Sequence, residues 1–237
     1  MKKAIIIGAT SGIGKELTKL MASGGYCVGV AGRRLELLRE LQRQFPGKIY
    51  IKPLDVALPS AIGLLKELLT EIAGADVIVI SSGTGFINKE LEWAKEKETI
   101  AVNVSGFAAM AGAAFEYFRV KGEGHIVGIS SIAALRGGGD APAYNASKAF
   151  VSNYLEGLRQ KAVKLGLPLT VTDIQPGFVD TAMAQGEGLF WVAPPAKAAK
   201  QILAAIEAKK HHAYITKRWR LIAWLLKLIP SRLYCRI

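Results

Sequence analysis

The sequence predicts an α/β fold in which helices cover both faces of a doubly wound parallel sheet. Short runs of β-branched apolar residues alternate along the chain with longer segments of helical periodicity. The short runs are apolar on both faces, which is typical of strands buried between two layers of helices. The chain has 237 residues, and single domains of this class commonly reach about 200 to 250 residues.

Seven strands and six helices are expected to alternate. The strands are predicted at 3–8, 27–31, 48–53, 76–80, 124–130, 168–175 and 211–215. The helices are predicted at 12–24, 34–45, 58–72, 88–120, 144–165 and 195–208. This order predicts one domain over 1–215 with a seven-stranded sheet, followed by a basic tail over 216–237. Ligands of such sheets bind beyond the carboxyl ends of the strands, so polar residues there are the candidates for a site.

The positive charge of the chain lies mostly at its C-terminal end. Residues 197–237 contain ten Lys or Arg and one acidic residue, a net charge of +9 out of +12 for the whole chain. The remaining +3 forms no basic stripe with interleaved aromatic residues, so the sequence argues against nucleic-acid binding.

The cysteines and the N-terminus indicate a cytoplasmic protein. Cys27 and Cys235 lie far apart and lack the spacing of metal ligands, so we expect neither a disulfide framework nor a metal site. The first apolar run is too short for an export signal and already forms a strand.

A glycine-rich turn follows the first strand and opens the first helix. It reads Gly8-Ala9-Thr10-Ser11-Gly12-Ile13-Gly14. Glycines let a pyrophosphate approach the backbone closely, and the N-terminus of the helix attracts it. The second strand then ends in Gly32-Arg33-Arg34, where an acidic residue would favour NAD and an arginine favours the additional phosphate of NADP. We expect Arg33 to contact that phosphate, whereas Arg34 fits either phosphate contact or a solvated charge.

A tyrosine and a lysine stand four residues apart at the start of a predicted helix. Tyr144 and Lys148 therefore share one helical face. A free tyrosine ionises near pH 10, so a nearby cation that favours the phenolate suits proton exchange at neutral pH. Ser130 and Ser131 end the preceding strand, where a hydroxyl can donate to a substrate carbonyl oxygen.

These motifs identify a family resemblance. From the glycine turn to the segment Pro176-Gly177-Phe178-Val179-Asp180-Thr181, nearly the whole chain resembles the short-chain dehydrogenase/reductases, which have a Rossmann-type fold. The resemblance implies four catalytic residues: Asn103, Ser131, Tyr144 and Lys148. The family serine precedes the tyrosine by thirteen positions, which selects Ser131 over Ser130, and the family asparagine holds a water that connects the lysine to solvent.

The resemblance also implies a cofactor site for NADP. Asp55 and Val56 match the pair that contacts adenine, and Arg33 matches the position that meets the 2′-phosphate. The other implied cofactor residues are Gly8, Thr10, Ser11, Gly12, Ile13, Gly14, Arg34, Ser81, Gly83, Asn103, Tyr144, Lys148, Pro176, Gly177, Val179 and Thr181. Two positions depart from the family pattern, since Ile7 replaces a threonine and Ser81 replaces an asparagine.

The segment between the last site motif and the sixth helix is short and apolar. It runs from Ala182 to Pro194 and includes Leu189, Phe190, Trp191 and Val192. Family members recognise substrate largely with this segment, so it favours a lipophilic or small substrate. Packing of Phe190 and Trp191 in the core is the alternative.

The tail contains a basic segment rich in leucine and tryptophan at 217–230. It is far shorter than the roughly 20 residues that span a bilayer. Basic amphipathic helices with tryptophan bind membrane interfaces, particularly anionic ones. Packing on the body of the protein, packing across a dimer and a disordered tail are the alternatives.

Three functions are consistent with these residues. The first is an NADP(H)-dependent oxidoreductase that interconverts a lipophilic ketone or aldehyde and an alcohol, with Tyr144 exchanging the proton. The second is a reductase of 3-oxoacyl thioesters on a carrier protein, whose acidic surface would meet the basic C-terminal region. The third is an NADP-sensing module without catalysis, associated with a membrane through its tail. The family resemblance further implies a homo-oligomer.

Overall fold

The structure is a computed structural model that describes residues 1–183 and 190–236. Its seven strands are all parallel and form one sheet in the order β3-β2-β1-β4-β5-β6-β7. The strands are β1 (Lys3–Ile7), β2 (Cys27–Gly32), β3 (Ile49–Pro53), β4 (Val77–Ile80), β5 (Gly124–Ile129), β6 (Leu169–Pro176) and β7 (His212–Ile215). The predicted sheet is confirmed, and each strand end lies within one residue of its expected position.

Helices connect the strands and cover both faces of the sheet. They are α1 (Gly12–Ser23), α2 (Leu35–Gln44), α3 (Ala61–Glu71), α4 (Trp93–Ile100), α5 (Phe107–Lys121), α6 (Pro142–Lys164), α7 (Pro195–Glu207), α8 (Trp219–Leu228) and α9 (Ser231–Tyr234). A π-turn over Ala101–Gly106 joins α4 to α5, and a 3₁₀ turn over Ile132–Leu135 follows β5. The sequence did not predict α9.

The prediction of a helix from residue 88 was wrong for its first turn. Leu91 has a φ of 52°, in the left-handed region, which interrupts a helix. The Asn88 side-chain oxygen accepts a hydrogen bond from the Glu92 backbone at 2.9 Å, so residues 88–92 form a turn and α4 begins at Trp93. The helix predicted from 144 begins two residues earlier because Pro142 fits the first helical turn.

Burial on both faces explains the apolar strands. One face packs against α3, α5 and α6 through residues such as Leu68, Phe107 and Leu155. The other face packs against α1, α2 and α7, for example through Leu17 and Ile202. The continuous helix Trp93–Lys121 is long and apolar enough to span a membrane, but its α5 part contributes Phe107 and other buried residues to this core.

The chain order places a cleft at the carboxyl ends of the central strands. The chain builds β1, β2 and β3 outward in one direction and then crosses to β4 on the other side of β1. The connections that follow β1 and β4 therefore diverge, and the gap between the carboxyl ends of these strands is where doubly wound sheets bind ligands.

Candidate active site

A cavity of about 630 Å³ lies at the carboxyl ends of the central strands. Eighteen of the twenty residues that the sequence assigned to catalysis or to cofactor binding line it: Gly8, Thr10, Ser11, Gly12, Ile13, Arg33, Arg34, Asp55, Val56, Ser81, Gly83, Ser131, Tyr144, Lys148, Pro176, Gly177, Val179 and Thr181. The other two, Gly14 and Asn103, pack directly behind its wall. Residues from seven separate segments thus meet in one cleft.

Glycine is required at two positions of the turn after β1. Gly8 has a φ of +92°, and a Cβ there would lie 2.5 Å from the backbone nitrogen of Ser82. A Cβ at Gly14 would lie 2.2 Å from the carbonyl oxygen of Gly8. The turn and the start of α1 are therefore pressed together, and the backbone lines the cleft where a phosphate can meet helix N–H groups.

The two arginines after β2 have different surroundings. The Arg34 guanidinium donates from Nη2 to the Thr10 hydroxyl at 2.7 Å and to the Ser11 hydroxyl at 2.8 Å. Arg34 is therefore tied to the glycine turn, which decides against a purely solvated side chain. Arg33 is exposed and lines the mouth of the cleft.

Asp55 and Val56 line the cleft just beyond β3. The Asp55 carboxylate accepts a hydrogen bond from the Ala57 backbone at 3.0 Å, which fixes the turn after the strand. Val56 packs against Gly106, where a Cβ would lie 2.7 Å from a Val56 methyl carbon. Both residues are held by their neighbours at the edge of the cleft.

The segment after β4 contacts both the end of β1 and two of the predicted catalytic residues. The Ser81 backbone donates to the Ile7 carbonyl at 2.8 Å, which extends the pairing of β4 with β1 despite the serine at this position. A Cβ at Gly83 would lie 3.4 Å from both the Asn103 side-chain oxygen and the Lys148 Nζ. Gly83 therefore leaves room where these groups approach each other.

Asn103 lies in the π-turn between α4 and α5. Its side chain forms two hydrogen bonds with the Thr84 backbone, at 2.8 and 2.7 Å, and donates a third to the Ser147 hydroxyl at 2.9 Å. Single π-helical turns within α-helices are frequent at functional sites. Here the turn directs Asn103 toward the β4 segment and α6.

Ser131, Tyr144 and Lys148, three of the predicted catalytic residues, lie together in the cleft. Tyr144 and Lys148 lie on one face of α6, with Lys148 Nζ 5.7 Å from the centre of the tyrosine ring. The Ser131 hydroxyl accepts a hydrogen bond from the Ala133 backbone at 3.1 Å and interacts with the Tyr144 phenol. Lys148 Nζ donates to the Ile129 carbonyl at 3.0 Å. A Cβ at Gly85 would lie 2.6 Å from the Tyr144 ring, so that residue leaves space for the phenol.

Burial shifts the proton affinity of both titratable groups. It raises the pKa of the Tyr144 phenol, and the hydrogen bond with Ser131 offsets part of this rise. Burial lowers the pKa of the Lys148 ammonium to about 8, while the negative charge of Asp173 acts in the opposite direction. At neutral pH Tyr144 is therefore a neutral phenol and Lys148 carries a proton.

Asp173 is a buried carboxylate that the sequence interpretation missed. It lies on β6 with 3 % of its surface exposed and accepts hydrogen bonds from Ser130, from Ser152 and, at 3.0 Å, from the Gln175 amide. An acidic residue inside a strand predicted to be buried was the available signal, because such groups are rarely buried without a partner.

The C-terminal segment forms the far wall of the cleft, which was also not predicted. Leu226 of α8 and Tyr234 of α9 line the cavity. The Tyr234 hydroxyl donates to the Gly137 carbonyl at 2.7 Å, and the Arg136 guanidinium stacks 4.4 Å from the Tyr234 ring centre. Residues 136–139 form a loop with three consecutive glycines, and this loop is therefore bound to the C-terminal segment.

Trp219 anchors α8 to the body. Its ring lies on Gly177, where a Cβ would be 2.0 Å from a ring carbon. Phe178, Phe190 and Trp191 surround it with ring centres at 5.3, 5.1 and 6.0 Å. Part of the predicted substrate segment 182–194 thus packs on α8, while residues 184–189, including Leu189, lie outside the described residues.

Two observations indicate that the cleft fits a dinucleotide. The glycine turn leaves backbone exposed where a side chain cannot be placed, and the Ser82 hydroxyl, which lines the same cleft, is buried with no hydrogen-bond partner in residues 1–183 or 190–236. An orphaned buried hydroxyl costs free energy unless a ligand or water satisfies it.

Comparison with known proteins gives concordant results. The family model for short chain dehydrogenases matches residues 2–189. An uncharacterised oxidoreductase of Myxococcus xanthus is 35 % identical over 189 residues, which cover 77 % of this chain and 74 % of that protein. An uncharacterised oxidoreductase of Mycobacterium tuberculosis is 31 % identical over 98 % of this chain and 95 % of its own length. The closed form of a serine dehydrogenase complexed with NADP+ has a TM-score of 0.77 and 26 % identity, over 86 % of this chain and 88 % of that one.

Proposed function

Because this chain belongs to the short chain dehydrogenase family, we propose that it is an NADP(H)-dependent oxidoreductase that interconverts a lipophilic ketone or aldehyde and the corresponding alcohol. The observation that carries the proposal is the convergence of Ser131, Tyr144 and Lys148 opposite the glycine turn, in one cleft. The NADP+ complex of the similar serine dehydrogenase supports the choice of cofactor.

The cofactor residues divide by the part of NADP that each one meets. The turn over residues 8–14 holds the pyrophosphate, with Arg34 fixing Thr10 and Ser11 in place. Arg33 meets the 2′-phosphate, for which an arginine at the end of the second strand is suited. Asp55 and Val56 contact adenine. Ser81, Gly83, Pro176, Gly177, Val179 and Thr181 line the nicotinamide end.

The catalytic residues handle the proton and the substrate oxygen. When bound, NADPH supplies the hydride to the carbonyl carbon. Tyr144 donates its phenolic proton to the carbonyl oxygen, and Ser131 donates a hydrogen bond to the same oxygen as it gains charge. Lys148 stabilises the resulting phenolate through its positive charge, and Asn103 holds the water that returns a proton. The raised pKa of Tyr144 keeps this group protonated before the reaction, which suits reduction.

The proposal also covers the domains of the enzyme, its substrate end, its location and its assembly. Residues 1–215 form the catalytic domain and 216–237 a tail that adds a wall to the substrate end. Phe178, Met183 and Leu226 line that end of the cleft and support a lipophilic substrate. The enzyme is cytoplasmic, assembles as a homo-oligomer and makes peripheral contact with the inner face of a membrane through residues 217–229.

The proposal is tested by cofactor binding followed by turnover. We expect the purified chain to bind NADPH more tightly than NADH, and to oxidise it against a panel of lipophilic ketones and aldehydes. Serine with NADP+ belongs in the same panel because a similar structure is a serine dehydrogenase. Turnover of serine alone would contradict the lipophilic substrate, and binding without any turnover would favour the NADP-sensing alternative.

A carrier-linked thioester is the second candidate substrate. Residues 197–237 have a net charge of +9, which complements an acidic carrier protein. The same 3-oxoacyl group is offered on a carrier protein and on a small thiol. Preference for the carrier form that falls steeply with added salt would favour this candidate, since the attraction is electrostatic.

A further inference from the structure

Helix α8 has two apolar faces, and within residues 1–183 and 190–236 only one of them packs on the protein. Trp219 and Ala223 on the inner face are 2 % and 1 % exposed. The outer face consists of Leu221, Trp224, Leu225 and Leu228, which are 67, 67, 51 and 58 % exposed. Their spacing of three, four and seven residues aligns them in one stripe along the helix. We call these four residues the outer stripe.

Exposed basic residues flank the outer stripe along the chain. Lys217, Arg220, Lys227, Arg232 and Arg236 are all exposed in the same C-terminal segment. The sequence contains no Asp or Glu after Glu207. An apolar stripe that contains a tryptophan and is flanked by Lys and Arg has the chemistry of a helix in the interface of an anionic membrane.

The charge argues against a second copy of the chain as the occupant. A two-fold contact would place the same patch against itself, so this unbroken set of basic residues would face its own copy without an acidic partner. Like charges brought together across an interface disfavour association. Anionic headgroups instead neutralise the basic residues while the stripe enters the acyl boundary.

The inner side of the same segment closes the substrate end of the cleft. Leu226 lies next to Leu225 in sequence but faces the cavity, and Tyr234 lines it from α9. Arg136, also in the lining, donates to the Ile229 carbonyl at 3.2 Å just after α8. The wall that a substrate meets and the surface offered to a membrane are therefore two sides of one short segment.

We propose that the outer stripe of α8 docks on an anionic membrane surface, and that the enzyme takes its carbonyl substrate from that membrane through the end of the cleft that α8 and α9 wall. The docking specifies the membrane contact proposed above for residues 217–229, and the uptake of substrate rests on the proposed oxidoreductase function. The substrate class is a membrane-dissolved aldehyde or ketone, and the partner is an anionic lipid surface.

The test compares two triple variants of the full-length chain. The stripe variant carries Leu221→Ser, Trp224→Ser and Leu225→Ser and leaves the cleft residue Leu226 intact. The matched control carries Val120→Ser, Val163→Ser and Leu165→Ser, which are 75, 75 and 51 % exposed outside the C-terminal segment. Thermal unfolding checks that both variants are folded, and light scattering gives the oligomeric state of all three proteins.

Binding is measured by sedimentation with vesicles of phosphatidylglycerol or phosphatidylcholine. We expect the wild type and the control to bind phosphatidylglycerol vesicles at least about tenfold more tightly than phosphatidylcholine vesicles, and the stripe variant to lose this binding. Equal sedimentation of the stripe variant and the wild type, or no sedimentation of the wild type, would overturn the docking. A change of oligomeric state confined to the stripe variant would assign the stripe to a second copy instead.

Uptake of the carbonyl substrate from the membrane is measured as NADPH oxidation with two carbonyl probes. Hexadecanal is held in phosphatidylglycerol vesicles, and cyclohexanone is dissolved in water without vesicles. The stripe variant is expected to lose activity on hexadecanal in proportion to its lost vesicle binding, and to keep the wild-type rate on cyclohexanone. Equal hexadecanal rates for variant and wild type would overturn delivery from the membrane. Failure of the wild type on both probes would contradict the proposed oxidoreductase, while the sedimentation result would stand separately.

Discussion

The glycine turn and the C-terminal segment face each other across one cleft, yet they are built in different ways. The turn presents backbone, and its geometry depends on the absence of side chains at Gly8 and Gly14. The C-terminal segment presents side chains, and its position depends on Trp219 among three aromatic rings. The glycine-turn side of the cleft is therefore specified by a local motif, whereas the opposite side is specified by contacts between distant parts of the chain.

The largest effect is expected from removing the anchor of the C-terminal segment. Trp219→Ala deletes a buried indole and leaves a cavity against Gly177, which should cost about 3 to 5 kcal/mol of unfolding free energy. Denaturant unfolding measures it. Trp224→Ala removes the same side chain from the exposed outer stripe and should change stability by no more than about 0.5 kcal/mol. Similar losses for both variants would mean that α8 does not pack as described.

The next effect concerns the glycine turn. Gly14→Ala places a Cβ against the Gly8 carbonyl and should weaken NADPH binding by about 100-fold, or about 2.7 kcal/mol. Fluorescence titration with NADPH measures the Kd. Gly157→Ala is the control, because no atom lies within 4 Å of a Cβ at that position in α6 and alanine favours a helix. Unchanged NADPH affinity in Gly14→Ala would contradict a backbone-built cofactor site.

Substitution of each arginine after β2 should show which of them selects NADPH over NADH and which holds the glycine turn in shape. Arg33→Ala is expected to weaken NADPH binding about tenfold or more through the lost phosphate contact, and to leave NADH binding unchanged. Arg34→Ala should weaken both cofactors to a similar, smaller extent, since Arg34 holds Thr10 and Ser11. The reverse pattern in paired titrations would assign the 2′-phosphate to Arg34.

The smallest effect is expected from Asp173→Asn, which keeps the size of the side chain and removes its charge. The charge of Asp173 raises the pKa of Lys148, whereas burial lowers that pKa by a larger amount. Removal of the Asp173 charge should therefore lower the pKa of Lys148 below about 8. The fall of kcat/KM for ketone reduction with rising pH should then begin at lower pH. Ser152→Ala is the control because it retains the carboxylate. An unmoved pH profile in Asp173→Asn would exclude this electrostatic role.

The same contrast explains how far the sequence could predict the structure. The strand ends, the glycine turn and the Tyr144–Lys148 pair depend on short-range patterns, and the general location of ligands in doubly wound sheets then brings them together. The start of α4 was missed because Asn88 and the left-handed Leu91 form a turn within a helical pattern. Propensity is a weak guide where such a local hydrogen bond decides the boundary.

The substrate side could not be predicted because its contacts span long stretches of chain. The hydrogen bond from Tyr234 to Gly137 joins residues 97 positions apart. The leucines of α8 carry no signal that separates Leu226, which faces the cleft, from Leu225, which faces solvent. Asp173 did carry a signal in its buried strand, but its proximity to Lys148 depends on how β6 lies beside α6.

Tyr144→Phe tests whether Tyr144 donates the proton to the substrate. This change removes the phenolic oxygen and retains the ring, so we expect ketone reduction to fall by about 10²- to 10⁴-fold while the Kd for NADPH stays nearly unchanged. Both quantities are measured on the same preparation, by steady-state NADPH oxidation and by fluorescence titration. Turnover retained at the wild-type rate by Tyr144→Phe would contradict the assignment of Tyr144 as the proton donor.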